Sequence, residues 1–141
     1  RFGIGSDSNV RISLTEELRT LEYSQRLRDK SRSVFATSQK STGRKIFELT
    51  CEGGAQAAGR NSGKIETGQL ADLLSLNSQH VDLIGRTEDT ILDSLIFSAG
   101  GSLIDNVWSA GRHLVQGGKH VNNEEIIKKY RQTISRLQDV I

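Results

Sequence analysis

The sequence has no proline and no methionine, and Cys51 is its only cysteine among 141 residues. A single cysteine excludes an internal disulfide bond and fits a reducing compartment, so we expect a cytoplasmic protein. No apolar run approaches the roughly 20 residues that a membrane-spanning helix needs, and we expect no membrane partner. The N-terminus has no apolar signal-peptide core, so the sequence gives no support for secretion.

Neither sign of charge dominates, since the formal net charge is only +2. This value gives no support for nucleic-acid binding, and we expect no such partner. A basic cluster does follow a predicted helix, where cations oppose the negative end of the helix dipole, and we interpret it as a solvated helix end. Its members are Arg26, Arg28, Lys30 and Arg32. No basic residue closely flanks Cys51, which favours a small buried side chain over a nucleophile.

The first half of the chain has helical patterns. Residues 1–12 predict a short strand and a turn, and a capping box at Ser13 and Glu16 predicts a helix from about 14 to 31. A second helix is predicted over about 42–52, and Gly53 and Gly54 directly after it are expected to interrupt it.

The second half has shorter apolar runs that favour strands. We expect strands over about 71–76 and in the apolar segment 91–97, and a hairpin of 104–110 and 112–116 around Ala110 and Gly111. An amphipathic helix is predicted from about residue 122 to the end of the sequence. Its apolar face carries Ile126, Ile127, Tyr130, Ile134, Leu137 and Ile141.

Two features suggest part of a longer polypeptide. The sequence opens within a predicted strand without methionine, and its helical and strand-rich regions each look like half of a larger structure. We therefore expect partner elements upstream of these residues.

Asp7 is the main candidate for chemistry. It stands in a turn of glycine and serine between a short apolar run and a strong helix start. A catalytic acid at the carboxyl end of a barrel strand has this position. Such a carboxylate could bind a metal ion and accept a proton from water. The alternative is a turn aspartate that hydrogen-bonds its own backbone, and local sequence alone favours this alternative.

The other candidates are weaker. His80, His113 and His120 lack the spacing that directs two imidazoles to one metal ion, so we interpret them as hydrogen-bonded or surface side chains. The glycine pairs match neither a phosphate-binding loop nor a dinucleotide fingerprint and favour turns or close packing. A catalytic zinc site needs three protein ligands, and this chain offers one credible ligand.

Three motifs, in the expected order, carry a resemblance to a known family. Residues 5–9 and 14–28 resemble the last barrel strand and following helix of the formimidoylglutamate deiminases, members of the amidohydrolase superfamily. Residues 63–76 resemble the return of that superfamily from its barrel to a small β-sandwich, and residues 106–117 resemble its closing hairpin. The motif at 63–68 departs from the usual Pro-Gly by having Thr67 before Gly68, and Asn77 replaces a usual aspartate.

The resemblance implies an α/β fold. Residues 1–60 would be the C-terminal part of a metal-dependent (β/α)8 amidohydrolase barrel, 61–120 part of a small composite β-sandwich, and 121–141 a terminal helix. The position of the catalytic, zinc-binding aspartate of the family is matched by Asp7. The implied substrate is N-formimino-L-glutamate, an intermediate of histidine degradation.

The remaining ligands and substrate-binding residues would lie upstream, so we expect this chain alone to be inactive and to hold no stoichiometric zinc. A homo-oligomer is expected. The alternative is a non-catalytic remnant or interaction module that associates through exposed apolar faces.

Overall fold

The computed structural model describes residues 2–138. The chain begins with two long helices, α1 (Leu14–Asp29) and α2 (Thr42–Ala57). After strand β1 (Leu73–Leu76) and a 3-10 turn (Val81–Leu83) comes helix α3 (Asp89–Ser94), which continues as a π-helical turn (Leu95–Ala99) and a 3-10 turn (Gly100–Leu103). Strands β2 (Ile104–Ser109), β3 (Arg112–Gln116) and β4 (Lys119–His120) precede the last helix, α4 (Asn123–Gln138).

Helix α1 starts at Leu14 as predicted, and the structure shows the serine half of the predicted capping box. The Ser13 hydroxyl oxygen accepts a hydrogen bond from the Glu16 backbone N–H at 3.4 Å, which satisfies one of the free amides of the first turn. The Glu16 carboxylate pairs with Arg11 at 3.0 Å. The helix ends two residues earlier than predicted, because Lys30 has a left-handed backbone (φ 50°) and its N–H caps the Arg26 carbonyl.

The predicted interruption of α2 at Gly53 and Gly54 is wrong, since the helix continues to Ala57. A Cβ atom at Gly53 would lie 2.7 Å from the backbone nitrogen of Phe2 and would overlap the Phe2 carbonyl group. Glycine at this position therefore lets the N-terminal segment cross the helix at backbone distance.

The buried core lies between α1, α2 and the π-helical turn. Leu18, Ile46 and Ile96 are completely buried there. Four partly buried apolar side chains surround them, Ile4, Phe35, Phe47 and Phe97.

The prediction of a strand in segment 91–97 is wrong. The Thr90 hydroxyl accepts a hydrogen bond from Thr87 N–H and donates one to the Thr87 carbonyl, which fixes a turn at the start of α3. The apolar run then packs into the core as helix, with Ile96 fully buried. Periodicity alone does not separate a short buried strand from a short buried helix.

The four strands form one antiparallel sheet in the order β1-β2-β3-β4. The predicted hairpin is confirmed: its turn residues Ala110 and Gly111 both have positive φ, 48° and 77°. This geometry matches the right-handed twist of the two strands that it joins.

The predicted short strand at the start of the chain is wrong for the described residues 2–12, which have irregular structure ending in a turn. No described strand runs beside them to supply ladder hydrogen bonds. The predicted division at residues 60 and 120 remains a prediction, although α3 and its continuation pack on α1 and α2.

Helix α4 is confirmed over its described residues, and Ile141 lies outside them. None of the described helices is long and apolar enough to cross a membrane.

Candidate active site

Asp7 occupies a tight turn directly after the N-terminal apolar segment. The Asn9 N–H donates to the Ser6 carbonyl at 2.8 Å and closes this turn. Asp7 itself has a left-handed backbone with φ 43°, a conformation that aspartate tolerates better than most residues. Its side chain is exposed, and it has no hydrogen bond to another described residue. The turn is therefore formed by the backbone, and the carboxylate remains available.

Contacts on both sides anchor the turn. Before it, Ile4 packs against the buried core, and the ring centroids of Phe2 and Phe35 lie 6.1 Å apart. After it, Asn9 Nδ2 donates to Glu17 Oε1 of α1 at 2.6 Å. The helix start and the crossing of α2 thus fix the backbone that carries Asp7.

A buried carboxylate supports the same region and was not predicted from the sequence. Glu22 is completely buried in α1. Its Oε1 accepts hydrogen bonds from Arg26 Nε at 2.7 Å and from Val34 N–H at 3.1 Å, and its Oε2 accepts one from Phe35 N–H at 3.3 Å. Glu22 therefore holds the loop that presents Phe35 to Phe2. The signal in the sequence was the spacing of Glu22 and Arg26, four residues apart on a helix.

The interpretation of the basic cluster as a solvated helix end is wrong for Arg26. Its guanidinium lies 5.2 Å from the centroid of the Tyr23 ring and 5.5 Å from that of Phe97, besides its pairing with Glu22. Arg26 is therefore part of the packing between α1 and the π-helical turn. Arg28 pairs with its neighbour Asp29.

The structure places the three histidines in local hydrogen bonds, as predicted. The Nδ1 atoms of His80 and His120 accept hydrogen bonds from nearby backbone N–H groups at 3.3 and 3.1 Å. His113 lies 2.8 Å from Asn106 Oδ1 and stacks on Trp108 at a centroid distance of 4.5 Å. Among residues 2–138, no group of three or more metal-binding side chains comes together.

Cys51 is partly buried in α2. Burial, and then the nearby carboxylates of Glu48 and Glu52, raise the pKa of its thiol above the ordinary value. The thiol therefore stays protonated at neutral pH, which agrees with the prediction that it is not a nucleophile.

The residues present fit a metal ion only in part. Asp7 supplies an exposed carboxylate oxygen without a competing hydrogen bond among the described residues, and such an oxygen is a suitable zinc ligand. The part of the chain that the structure describes brings no group of three or more metal-binding side chains together. Asp7 is thus a candidate ligand, and the described residues hold no complete site of three ligands.

Comparison with known proteins identifies the family. The sequence pattern of the amidohydrolase family matches residues 1–114. The chain is 39% identical over 140 residues to formimidoylglutamate deiminase from Pseudomonas aeruginosa, a match that covers 99% of this chain and 31% of that protein. The chain belongs to the amidohydrolase family, and the resemblance found in the sequence is confirmed.

Solved structures agree on the α/β fold. An amidohydrolase from Brucella melitensis matches with a TM-score of 0.84 and 40% identity, over 98% of this chain and 30% of that chain. An adenosine deaminase from Xanthomonas campestris with bound zinc matches with a TM-score of 0.76 over 96% of this chain and 30% of that chain. At 22% identity the second match shows the fold alone. The chain thus spans about a third of the length of these proteins.

Proposed function

We propose that this chain is the carboxyl-terminal part of a zinc-dependent amidohydrolase that deiminates N-formimino-L-glutamate. The exposed Asp7 carboxylate, held in an anchored left-handed turn, is the observation that carries the proposal. Similarity to formimidoylglutamate deiminase supports the choice of substrate, and the zinc-bound deaminase of the same fold supports the choice of metal. In this proposal residues 1–60 complete a (β/α)8 barrel, residues 61–120 belong to a small β-sandwich, and α4 is the terminal helix.

The chemistry is hydrolysis of a C–N bond. Water adds to the formimino carbon, the bond from that carbon to the terminal nitrogen breaks, and ammonia leaves while N-formyl-L-glutamate remains. A bound zinc ion acts as a Lewis acid in such sites and lowers the pKa of water toward neutrality. Asp7 would hold the metal through one carboxylate oxygen, accept the proton of the attacking water, and pass it to the departing nitrogen.

The surface beside Asp7 supports completion of the site by other parts of the enzyme. Val10 is 101% exposed and Ile12 is 86% exposed, although both are apolar and directly follow the turn. These two exposed apolar side chains agree with a surface that other parts of a larger protein cover. In the proposal, barrel strands that carry the remaining zinc ligands cover it.

The proposed reaction belongs to histidine degradation and takes place in the cytosol, a compartment that agrees with the single cysteine. Membership of a family of hydrolases favours this function over a non-catalytic module.

Zinc content and ammonia release test the proposal directly. The purified 141-residue chain is expected to hold less than one zinc per chain and to release no ammonia from N-formimino-L-glutamate. The complete polypeptide that carries these residues is expected to hold stoichiometric zinc and to release ammonia from this substrate. Robust turnover by the isolated chain would overturn the proposal that it carries only part of the active site. A complete polypeptide that is inactive on N-formimino-L-glutamate would overturn the proposed substrate.

A further inference from the structure

A polar cleft of about 500 Å³ lies between the start of α1 and the segment 98–102, where the π-helical turn passes into the 3-10 turn. Among the described residues that line it, Ile12 and Ala99 are the only apolar side chains, and the others are polar, charged or glycine. A cleft with this lining favours a hydrophilic ligand over an apolar one.

Arg19 lines this cleft with a guanidinium group that is held at one nitrogen and free at the other two. Its Nε donates a hydrogen bond at 2.9 Å to the carbonyl oxygen of Ile96, a completely buried residue of the π-helical turn. Its Nη1 and Nη2 atoms form no hydrogen bond with another described residue. Because two guanidinium nitrogens match the two oxygens of a carboxylate or phosphate group, Arg19 is a pre-oriented donor for such an anion.

Thr15 lies on the same face of α1, one helical turn before Arg19, and lines the same cleft. Its side chain is only 6% exposed. Its Oγ1 lies 3.2 Å from Ser13 Oγ, and one hydroxyl proton occupies this contact. The second hydroxyl proton of the pair has no partner among the described residues, so it is available to a ligand.

Gly100 leaves the Thr15 hydroxyl open to the cleft. A Cβ atom at Gly100 would lie 3.3 Å from Thr15 Oγ1, which is closer than ordinary van der Waals contact. The hydroxyl protons on this opposite wall are already used, since Ser98 donates to the Asp82 carboxylate at 2.8 Å and Ser102 donates to a nearby backbone carbonyl at 2.9 Å. The side-chain donors for a ligand therefore come from the side of α1.

The charges that line the cleft favour an anion. Arg11 and Glu16 neutralise each other, with Arg11 Nη1 at 3.0 Å from Glu16 Oε1. Arg19 is the remaining charged side chain of the lining, and it has no carboxylate partner among the described residues. The described lining therefore carries a net positive charge, which attracts negatively charged ligands.

We propose that this cleft binds a small oxyanion, whose carboxylate or phosphate group accepts hydrogen bonds from Arg19 Nη1 and Nη2 and from the hydroxyl pair of Ser13 and Thr15. The proposal rests on the start of α1 and the segment 98–102, and it does not depend on the proposed function. One guanidinium and one hydroxyl give a modest affinity, so we expect saturation at millimolar concentrations of the anion.

NMR titration of the isotopically labelled 141-residue chain tests the site. Acetate or inorganic phosphate replaces chloride at constant ionic strength, so that screening of charge stays the same. The backbone amide signals of Thr15, Arg19 and Ser102 are expected to shift and to saturate. Tighter binding of acetate would identify a carboxylate as the preferred ligand group, and tighter binding of phosphate would identify a phosphate group.

Three substitutions assign the binding to the cleft. Arg19→Gln removes the guanidinium and is expected to weaken binding by at least about tenfold. Thr15→Val removes the hydroxyl with little change in size and is expected to weaken binding by about threefold. Arg28→Gln is the matched control and should leave the affinity unchanged, because it removes the same charge near the other end of the same helix, where Arg28 pairs with Asp29.

Amide shifts that rise linearly with anion concentration and never saturate would overturn the proposal, because they would report no defined site. Equal affinities of Arg19→Gln and Arg28→Gln would also overturn it. Thermal unfolding of each variant verifies the fold, since Arg19 also donates to the Ile96 carbonyl. If Arg19→Gln does not fold, Thr15→Val decides, and wild-type affinity of that variant would contradict the assigned site.

Discussion

The backbone of Phe2 crosses α2 at Gly53 so closely that the helix has no room there for a side chain. The crossing segment leads directly into the turn that carries Asp7. The same crossing explains why a glycine persists within a helix, where it is otherwise unfavourable. The position of the candidate catalytic carboxylate therefore depends on a missing Cβ atom in a different element.

Gly53→Ala is expected to destabilise the chain, although alanine is the better helix former. The new methyl group must displace the Phe2 backbone, and overpacking of this kind costs about 1–3 kcal/mol. Chemical denaturation should measure the loss as a lower free energy of unfolding.

Gly54→Ala is the matched control for this substitution. A Cβ atom at Gly54 meets nothing within 4 Å. Helix propensity alone then predicts stabilisation by about 0.5–1 kcal/mol. Equal effects of the two substitutions would contradict the assigned role of Gly53.

Removal of the buried carboxylate at Glu22 is expected to be severely destabilising. Glu22→Ala leaves the Arg26 guanidinium and the N–H groups of Val34 and Phe35 without their acceptor. Breaking a buried pair by removing one partner costs about 3–5 kcal/mol. Thermal and denaturant unfolding should both report the loss.

Glu16→Ala serves as the comparison within the same helix. Glu16 pairs with Arg11, whose side chain is 80% exposed. An exposed pair of this kind contributes at most about 1 kcal/mol. A similar loss for Glu16→Ala and Glu22→Ala would show that burial of Glu22 has no special importance.

The start of α2 and the start of α3 are joined by a contact that depends on pH. Asp89 accepts hydrogen bonds from Arg44 Nη1 at 2.7 Å and from Ser41 N–H at 2.9 Å, and these lower the pKa of its carboxyl group. A carboxyl whose pKa is lower in the folded state stabilises the fold above its unfolded pKa of roughly 3.9. That stabilisation is lost as the pH falls from there through the lower folded value.

Asp89→Asn is therefore expected to flatten the acid side of the stability profile below about pH 4. Free energies of unfolding measured from mildly to strongly acidic pH would show the difference. Glu88→Gln is the control, because Glu88 is exposed and is the adjacent residue. The assigned contribution of Asp89 is refuted if the free energy of unfolding of Asp89→Asn falls with acid as much as that of the wild-type chain.

The sequence predicted the elements whose signals are local. Ser13 caps α1 and Ala110-Gly111 forms the hairpin turn, because these residues determine their own backbone geometry. The prediction from sequence was wrong at Gly53, because the need for glycine there comes from a contact with a distant segment. It was also wrong for residues 91–97, because their burial against the helices decides their conformation. Glu22 was missed because charged residues are seldom buried, and only the folded loop supplies its partners.

The prediction for Asp7 combined two sources of information. Local sequence correctly indicated a turn, which the Ser6–Asn9 hydrogen bond forms. It could not indicate a metal ligand, because a ligand set is assembled by tertiary structure, and the described residues bring no such set of three together. That role came from family resemblance and remains a proposal.

Asp7→Asn in the complete polypeptide separates the catalytic proposal from a purely structural role. Asparagine also tolerates the left-handed backbone, so the fold is expected to persist with little change in unfolding temperature. Loss of the proton acceptor is expected to lower kcat for ammonia release by about 10²–10⁴-fold. Zinc content should also fall if the Asp7 oxygen is a ligand, which metal analysis of the same sample would measure.

Two comparisons make this result specific to the carboxylate. Asp7→Gly keeps the positive φ accessible and removes the side chain, so it should be as inactive as Asp7→Asn. Glu66→Gln removes an exposed carboxylate in a different turn, where Glu66 contacts Gln69, and should retain wild-type activity. If folded Asp7→Asn protein releases ammonia at the wild-type rate, Asp7 is a turn residue alone, because a required proton acceptor cannot be replaced by an amide.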